Sequence, residues 1–234
     1  MAFNHLIMIG VASAVAFSTP AFATRVIVTY TGTISSGYNQ AGEFGAAGES
    51  LEGMIFSTEY LFDTERGATF SDDETSNSYG GTRFGTTNPL IRASITINGQ
   101  TIYPELSSGQ IYSYNNGLES QQRSYGVNYY DDGFSYKTTT IWNNVLFEGG
   151  YYPSKFLNFS GSIVGNYEGY YQNSFYDYSQ ESYVYDTLVT FSATNLTITP
   201  VPEPTTWVMM VAGFGMIGFA ARKRSVVKTS VTLA

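Results

Sequence analysis

"IRASITINGQTIY", residues 91–103, decides the fold class. Ile95-Thr96-Ile97 and Thr101-Ile102-Tyr103 alternate apolar and polar side chains, and between them stands Asn98-Gly99, the pair best able to turn with positive φ at two successive positions. A two-residue β-hairpin follows. Working outward, the alternation recurs from Arg25 to Ile34, with Val26, Val28 and Tyr30 on one face and Ile27, Thr29 and Thr31 on the other. Between Tyr183 and Thr199 it sets Leu188, Thr190 and Ser192 against Val189, Phe191 and Ala193. Asp132-Gly133 plays the hairpin part between Val127-Asn128-Tyr129-Tyr130 and Phe134-Ser135-Tyr136, and Gly53 to Phe62, Lys137 to Phe147 and Phe156 to Val164 read as further strands. Between the two ends of the chain no stretch carries a helical period. The expected fold is therefore all-β, an antiparallel β-sandwich or jelly roll, in one domain spanning residues 24–200.

The ends read differently. Leu6 to Phe17 is an apolar run of signal-peptide length, and Ala21-Phe22-Ala23 is a small-x-small cleavage site, so residues 1–23 are expected to be removed by signal peptidase, leaving Thr24 first. Near the other end, residues 205–221 contain no charge, which is just enough apolar length for a transmembrane helix. Arg222, Lys223 and Arg224 then supply a cytoplasmic stop, with residues 226–234 as a short cytoplasmic tail and Trp207 at the opposite interface. Gly213-Phe214-Gly215-Met216-Ile217-Gly218 has the spacing of a dinucleotide-binding loop, but Pro202-Glu203-Pro204 precedes it in place of a strand and no acidic residue follows to hold a ribose.

Pro202-Glu203-Pro204, Trp207, the glycine-bearing apolar segment and the basic triplet, in this order over residues 201–225, resemble the PEP-CTERM sorting signal of Gram-negative bacteria in its PEPxxWA variant, with Val208 where that variant has Ala. The resemblance implies export, recognition by a membrane-embedded exosortase that processes the chain near Pro-Glu-Pro, passage through an inner-membrane intermediate, and a final place at the cell surface or in the medium, in association with exopolysaccharide. Tyr30 to Asp63, a strand, a loop with Gly37, Gly42, Gly45 and Gly48, and a second strand, is similar to an N-terminal segment of exported bacterial proteins that carry the same signal. The glycines suit a loop folding over a sheet edge.

Composition removes several functions from the domain. It has seven Lys and Arg against eighteen Asp and Glu, a balance of −11, which repels nucleic acid. The chain has no cysteine, and its single histidine is His5, inside the expected signal peptide. Ser-His-Asp and Cys-His nucleophiles and Cys/His zinc sites are therefore excluded from the mature domain. No cofactor is expected apart from calcium, for which Asp72-Asp73-Glu74 offers dense oxygen donors. The plainer reading of that triplet is an acidic turn, since it lacks the alternating spacing of a calcium loop.

The chain's 20 tyrosines leave a second candidate. Adjacent strand residues face opposite sides, so pairs such as Tyr151-Tyr152 and Tyr170-Tyr171 cannot both be core, and an exposed tyrosine platform would stack on sugar rings. Tyrosine is also simply a good strand residue with a wet tip. The expected role is thus a structural, non-enzymatic surface domain, with a glycan-binding module as the alternative and a carboxylate-based glycosidase as the third reading. A row of exposed tyrosines on one sheet face would favour glycan binding; two acids facing one another in a cleft would favour hydrolysis.

Overall fold

The protein is described here by a computed structural model covering residues 24–131, 135–148, 156, 158–202 and 211–217. Its strands are β1 (Arg25–Asn39), β2 (Glu49–Ser50), β3 (Ile55–Asp63), β4 (Ala68–Ser71), β5 (Thr75–Gly81), β6 (Leu90–Ile97), β7 (Gln100–Ile102), β8 (Ser108–Asn115), β9 (Glu119–Asp131), β10 (Ser135–Glu148), β11 (Phe159–Ser162), β12 (Gly165–Asp177) and β13 (Ser182–Val201). All pairings are antiparallel, so the all-β expectation holds.

The division into two facing sheets does not hold. The described strands form one 13-stranded sheet in the order β4-β5-β8-β9-β10-β12-β13-β1-β3-β6-β7, with β11 beside β13 and β2 beside β1. The sheet curls into a half-barrel, which brings strands distant in that order together across its inside. Tyr30 of β1 donates its hydroxyl to Ser124 Oγ of β9 at 3.2 Å, and Asn143 Nδ2 of β10 donates to Thr58 Oγ1 of β3 at 3.2 Å. Register shifts at Thr31/Gly32 and Ile34/Ser36 in β1, and at Asn173/Ser174 in β12, bend the longest strands as bulges do. Glycines then let the curl tighten: a Cβ on Gly109 would stand 2.4 Å from Leu90 Cβ, and one on Gly126 2.7 Å from Leu90 Cδ2. The start of β6 thereby meets the inner surface of β8 and β9. One curled sheet encloses a core as two sheets would.

The hairpins expected from sequence are present. Ile97 pairs with Gln100, and the loop residues Asn98 (φ 49°) and Gly99 (φ 81°) both take the positive φ of a type I′ turn. Tyr136 pairs with Asp131, so β9 and β10 form the second hairpin, while Asp132 and Gly133 themselves lie outside the described residues. The glycine-bearing loop after β1 covers the inside of the curl, and its return through β2 hydrogen-bonds along the part of β1 that β3 leaves unpaired. Phe44 is buried there, edge-on to Tyr171 at 5.8 Å, and Asn39 holds the loop by accepting from Phe44 N and donating to Ala46 O.

The inner face is apolar where β1, β3, β6 and β13 contribute Val26, Val28, Phe56, Phe62, Ile95, Ile97, Val189, Phe191 and Ile198. Where β5, β8 and β9 contribute, the buried inner residues include Ser76, Ser78, Ser113, Ser120, Gln122 and Ser124. A hydrogen-bonded set joins the halves, with Asn143 donating to Tyr60 and Thr58 and accepting from Tyr167.

Candidate functional site

Residues directly opposite in an antiparallel pair share a face, so the register reads out what stands on the outside of the curl. Across β5, β8, β9, β10, β12 and β13 one outer row is Tyr79, Gln110, Tyr125, Trp142, Tyr170, Thr190; the next is Asn77, Tyr112, Arg123, Asn144, Glu168. The strands alternate as they must: Ile141, Asn143 and Val145 of β10 are buried inside, which turns Trp142 and Asn144 outward. Trp142, Tyr112 and Tyr170 are half-buried, offering ring surface to solvent. These two rows consist mainly of rings and amides, with Arg123 and Glu168 as their charged members.

The rings are held in place. Tyr125 packs edge-on to Trp142 with centroids 5.4 Å apart and is itself almost covered. The Arg123 guanidinium lies 5.6 Å from the Tyr112 ring centroid and 5.1 Å from that of Trp142, a cation between two aromatic groups. Arg83 donates to the hydroxyls of Tyr125 at 2.8 Å and Tyr129 at 3.1 Å. Amide pairs flank the rings, Gln110 donating to Asn77 at 3.0 Å and Gln121 to Asn144 at 2.7 Å. Partial burial raises the Tyr112 phenol, opposed by the charge of Arg123, and burial followed by Tyr129 raises that of Tyr170. These hydroxyls remain neutral donors at ordinary pH.

The platform borders a cleft of about 500 Å³. β12 pairs with β13 only from Tyr170 onward, so residues 165–169 diverge from it, and Trp142, Glu168, Tyr170, Gln172 and Thr190 line the opening, with Tyr167 and Phe191 deeper. A bounded apolar cleft with a few polar groups at its rim is the usual form of a small-ligand or sugar site.

Of the tyrosines singled out from sequence, Tyr170 is on this face. Tyr171 is not: it is 1% exposed, donates to Glu43, and has its phenol pushed up first by burial and then by that carboxylate. It is unavailable to a surface ligand, as the alternation of adjacent strand residues requires. Tyr151 and Tyr152 lie outside the described residues. Asp72-Asp73-Glu74 forms the β4–β5 turn, in which Asp72 Oδ1 accepts from Glu74 N at 2.9 Å and Thr75 N at 2.6 Å. Among the described residues no three acidic groups converge to hold a metal. Trp142, Arg123 and Tyr112 were not singled out from sequence. The signal was there in Thr138, Thr140, Trp142 and Asn144, which alternate against Thr139, Ile141, Asn143 and Val145 and so put the tryptophan on the polar side.

A second cavity, about 300 Å³, opens at the end of the curl and includes Glu43, Glu105, Asn128, Tyr171 and Asn173 in its lining. Asn173 Nδ2 donates to Glu43 Oε1 at 2.9 Å, and the Tyr171 hydroxyl donates to the same carboxylate.

At the termini, Thr24 O accepts from Thr64 N at 2.6 Å, and Arg25 pairs with Val201. The first residue of the domain therefore sits beside Pro202, which is exposed at the end of β13. Residues 211–217 form a helical stretch whose Val211, Phe214, Met216 and Ile217 are all exposed. Among the described residues no helix is long and apolar enough to cross a membrane. Ala21, Ala23, Glu203, Pro204, Trp207, Arg222, Lys223 and Arg224, with most of the expected span 205–221, lie outside the described residues.

Fold and surface thus define an all-β domain with an aromatic outer face, followed by a C-terminal extension. That extension carries a PEP-CTERM protein-sorting motif, the family model matching residues 200–225. Such a motif implies export and sorting to the cell surface, with exosortase as the processing partner. No curated protein and no solved structure matches the chain.

Proposed function

We propose that this is an exported surface protein whose β-domain binds polysaccharide through the outer face centred on Trp142. Signal peptidase frees Thr24, the C-terminal segment holds an inner-membrane intermediate, and exosortase acts near Pro202-Glu203-Pro204. The observation that carries the binding reading is the outer row Tyr125–Trp142–Tyr170, with Tyr112 and Arg123 beside it. The inner face has its own aromatic core in Tyr30, Phe56, Tyr60 and Phe62, so these outer rings are surplus to what the sheet needs for burial. Eleven residue steps along β13 separate Thr190 from Val201. At ~3.3 Å per residue that sets the face about 35 Å along the strand from the C-terminal extension, clear of any membrane to which the extension is tied.

The test is affinity electrophoresis of the full-length chain through gels containing cell-surface polysaccharide. Retardation that is lost in Trp142→Ala supports the reading; equal mobility with and without polymer leaves a purely structural domain and overturns it. Intact-mass analysis of surface and medium fractions tests the sorting: a chain starting at Thr24 and ending near Pro202 to Pro204 is expected, whereas one retaining Trp207 to Ala234 contradicts processing. A carboxylate glycosidase is the second reading, favoured by the shared cavity of Glu43 and Glu105. Release of reducing ends from the bound polymer, abolished in Glu43→Gln, would establish it.

A further inference from the structure

Six cations stand among the described residues; Arg66 and Lys137 are exposed to solvent and make no ion pair, and the other four differ in what they meet. Arg25 and Arg92 neutralise carboxylates, Asp63 at 3.9 Å and Glu59 at 3.0 Å. Arg83 and Arg123, both on the aromatic face, pair with no carboxylate among the described residues. Arg83 spends its hydrogen bonds on Tyr125 and Tyr129, and its guanidinium lies 5.6 Å from the Tyr129 ring and 5.8 Å from that of Phe84. Arg123 is held between Tyr112 and Trp142, and its Nε is buried with no hydrogen-bond partner. In a domain with eighteen acids against seven bases, Arg83 is accounted for by its two tyrosine partners, whereas Arg123, flanked by two rings and with a buried Nε that has no hydrogen-bond partner, is not explained by folding.

From this we infer that the glycan taken by this face is acidic, a polysaccharide bearing carboxylates, with a carboxylate docking on Arg123 while the sugar ring lies against Trp142. The inference rests on the glycan-binding reading and adds its charge. The chemistry is specific. A guanidinium fixed by stacking keeps its planar donor fork, matches a carboxylate in two parallel hydrogen bonds, and is weakly hydrated, so little is lost on desolvation. The rings also prevent Arg123 from folding back onto the sheet. Glu168, beyond Asn144 in the same row and lining the cleft with Trp142, gives the site polarity: the anionic end of a residue is steered to the Arg123 side and its hydroxyls to the Glu168 side. The negative balance of the whole domain does not forbid this. At physiological ionic strength charges beyond about 8 Å are screened, so the local guanidinium decides.

The experiment compares one polymer with and without its charge. Full-length protein in detergent is titrated calorimetrically with polygalacturonate and with the same polymer fully methyl-esterified, alongside neutral β-glucan and single-stranded oligonucleotide. At least tenfold tighter binding to the acid form than to the ester is expected, weakening as salt is added. Arg123→Gln should erase the difference, and Trp142→Ala should weaken both polymers. Equal affinity for acid and ester, or an Arg123→Gln chain that keeps the preference, overturns the acidic inference while leaving the stacking site intact. Because the acid-versus-ester comparison uses the unsubstituted chain, it stands even where a variant fails to fold. Absence of binding to every polymer overturns the inference and the glycan reading together, and oligonucleotide binding as tight as polygalacturonate overturns the assignment to sugar.

Discussion

The two halves of the curled sheet solve the same packing problem with opposite faces. In β1, β3, β6 and β13 the bulk points inward: Phe56 stacks on Phe191 at 4.4 Å, Tyr60 on Phe62 at 5.8 Å, and the outward positions of β3 are Ile55, Ser57, Glu59 and Leu61. In β5, β8 and β9 the inside is mostly serine, glutamine and glycine, and the rings are outside, in Tyr79, Tyr112, Tyr114 and Tyr125. Small inner residues let this half approach Leu90 and Leu106 closely. They contribute little apolar burial, however, so stability is concentrated in the first half. The second half is free to turn its aromatic residues toward solvent, and that difference is what the proposed binding face rests on.

The comparison can be broken by substitution. The largest effect is expected for Phe56→Ala, a fully buried ring in the apolar half, at about 3–5 kcal/mol in urea unfolding. Ser78→Ala, equally buried in the polar half and donating to Arg66 O at 2.7 Å, should cost only ~1 kcal/mol. Equal costs would remove the asymmetry. Asn143→Leu should fall between them at about 2–3 kcal/mol, because it takes hydrogen-bond partners from the buried Tyr60 and Tyr167 at once and so leaves polar groups unsatisfied between the halves.

Alkaline titration sharpens the same contrast. Burial raises the phenols of Tyr30, Tyr60, Tyr167 and Tyr171 above their ordinary value of 10.0. An unfolded chain loses these protons near pH 10 while the folded one keeps them. Their contribution is therefore complete below pH 10 and lost as pH rises through the folded values. Stability measured by urea unfolding should be flat in this respect up to pH 10 and fall beyond it, with the inner phenolates appearing only as the chain unfolds. Phenolate absorbance that develops fully before unfolding would contradict the buried placement.

The apolar half was legible in the sequence and the polar half was not. Val26, Val28 and Tyr30, or Ile95 and Ile97, alternate with polar residues in the way a period-two reading detects, and Asn98-Gly99 fixed a turn. β5 and β8 read Thr-Ser-Asn-Ser-Tyr-Gly-Gly and Ser-Gly-Gln-Ile-Tyr-Ser-Tyr-Asn, where small polar residues are the inner set, so hydrophobic patterning gives no contrast. The curl was hidden for a related reason: it depends on which glycines meet Leu90 across the interior, a contact between β6 and strands far from it in the sheet order. The sorting signal was legible in full because it is a contiguous motif. The aromatic outer face was half legible, since Tyr170 could be placed outward or inward only once its register with Trp142 was known.

Trp142 permits a direct test of the claim that the outer face is where this protein meets its ligand, because the chain has only two tryptophans. In full-length protein with Trp207→Phe, Trp142 is the sole tryptophan emitter, read by excitation on the long-wavelength edge where tyrosine does not absorb. Titration with cell-surface polysaccharide should shift and saturate its fluorescence at the concentrations that retard the protein in affinity gels. Retention on the polymer with unchanged Trp142 emission would put the binding elsewhere and contradict the account.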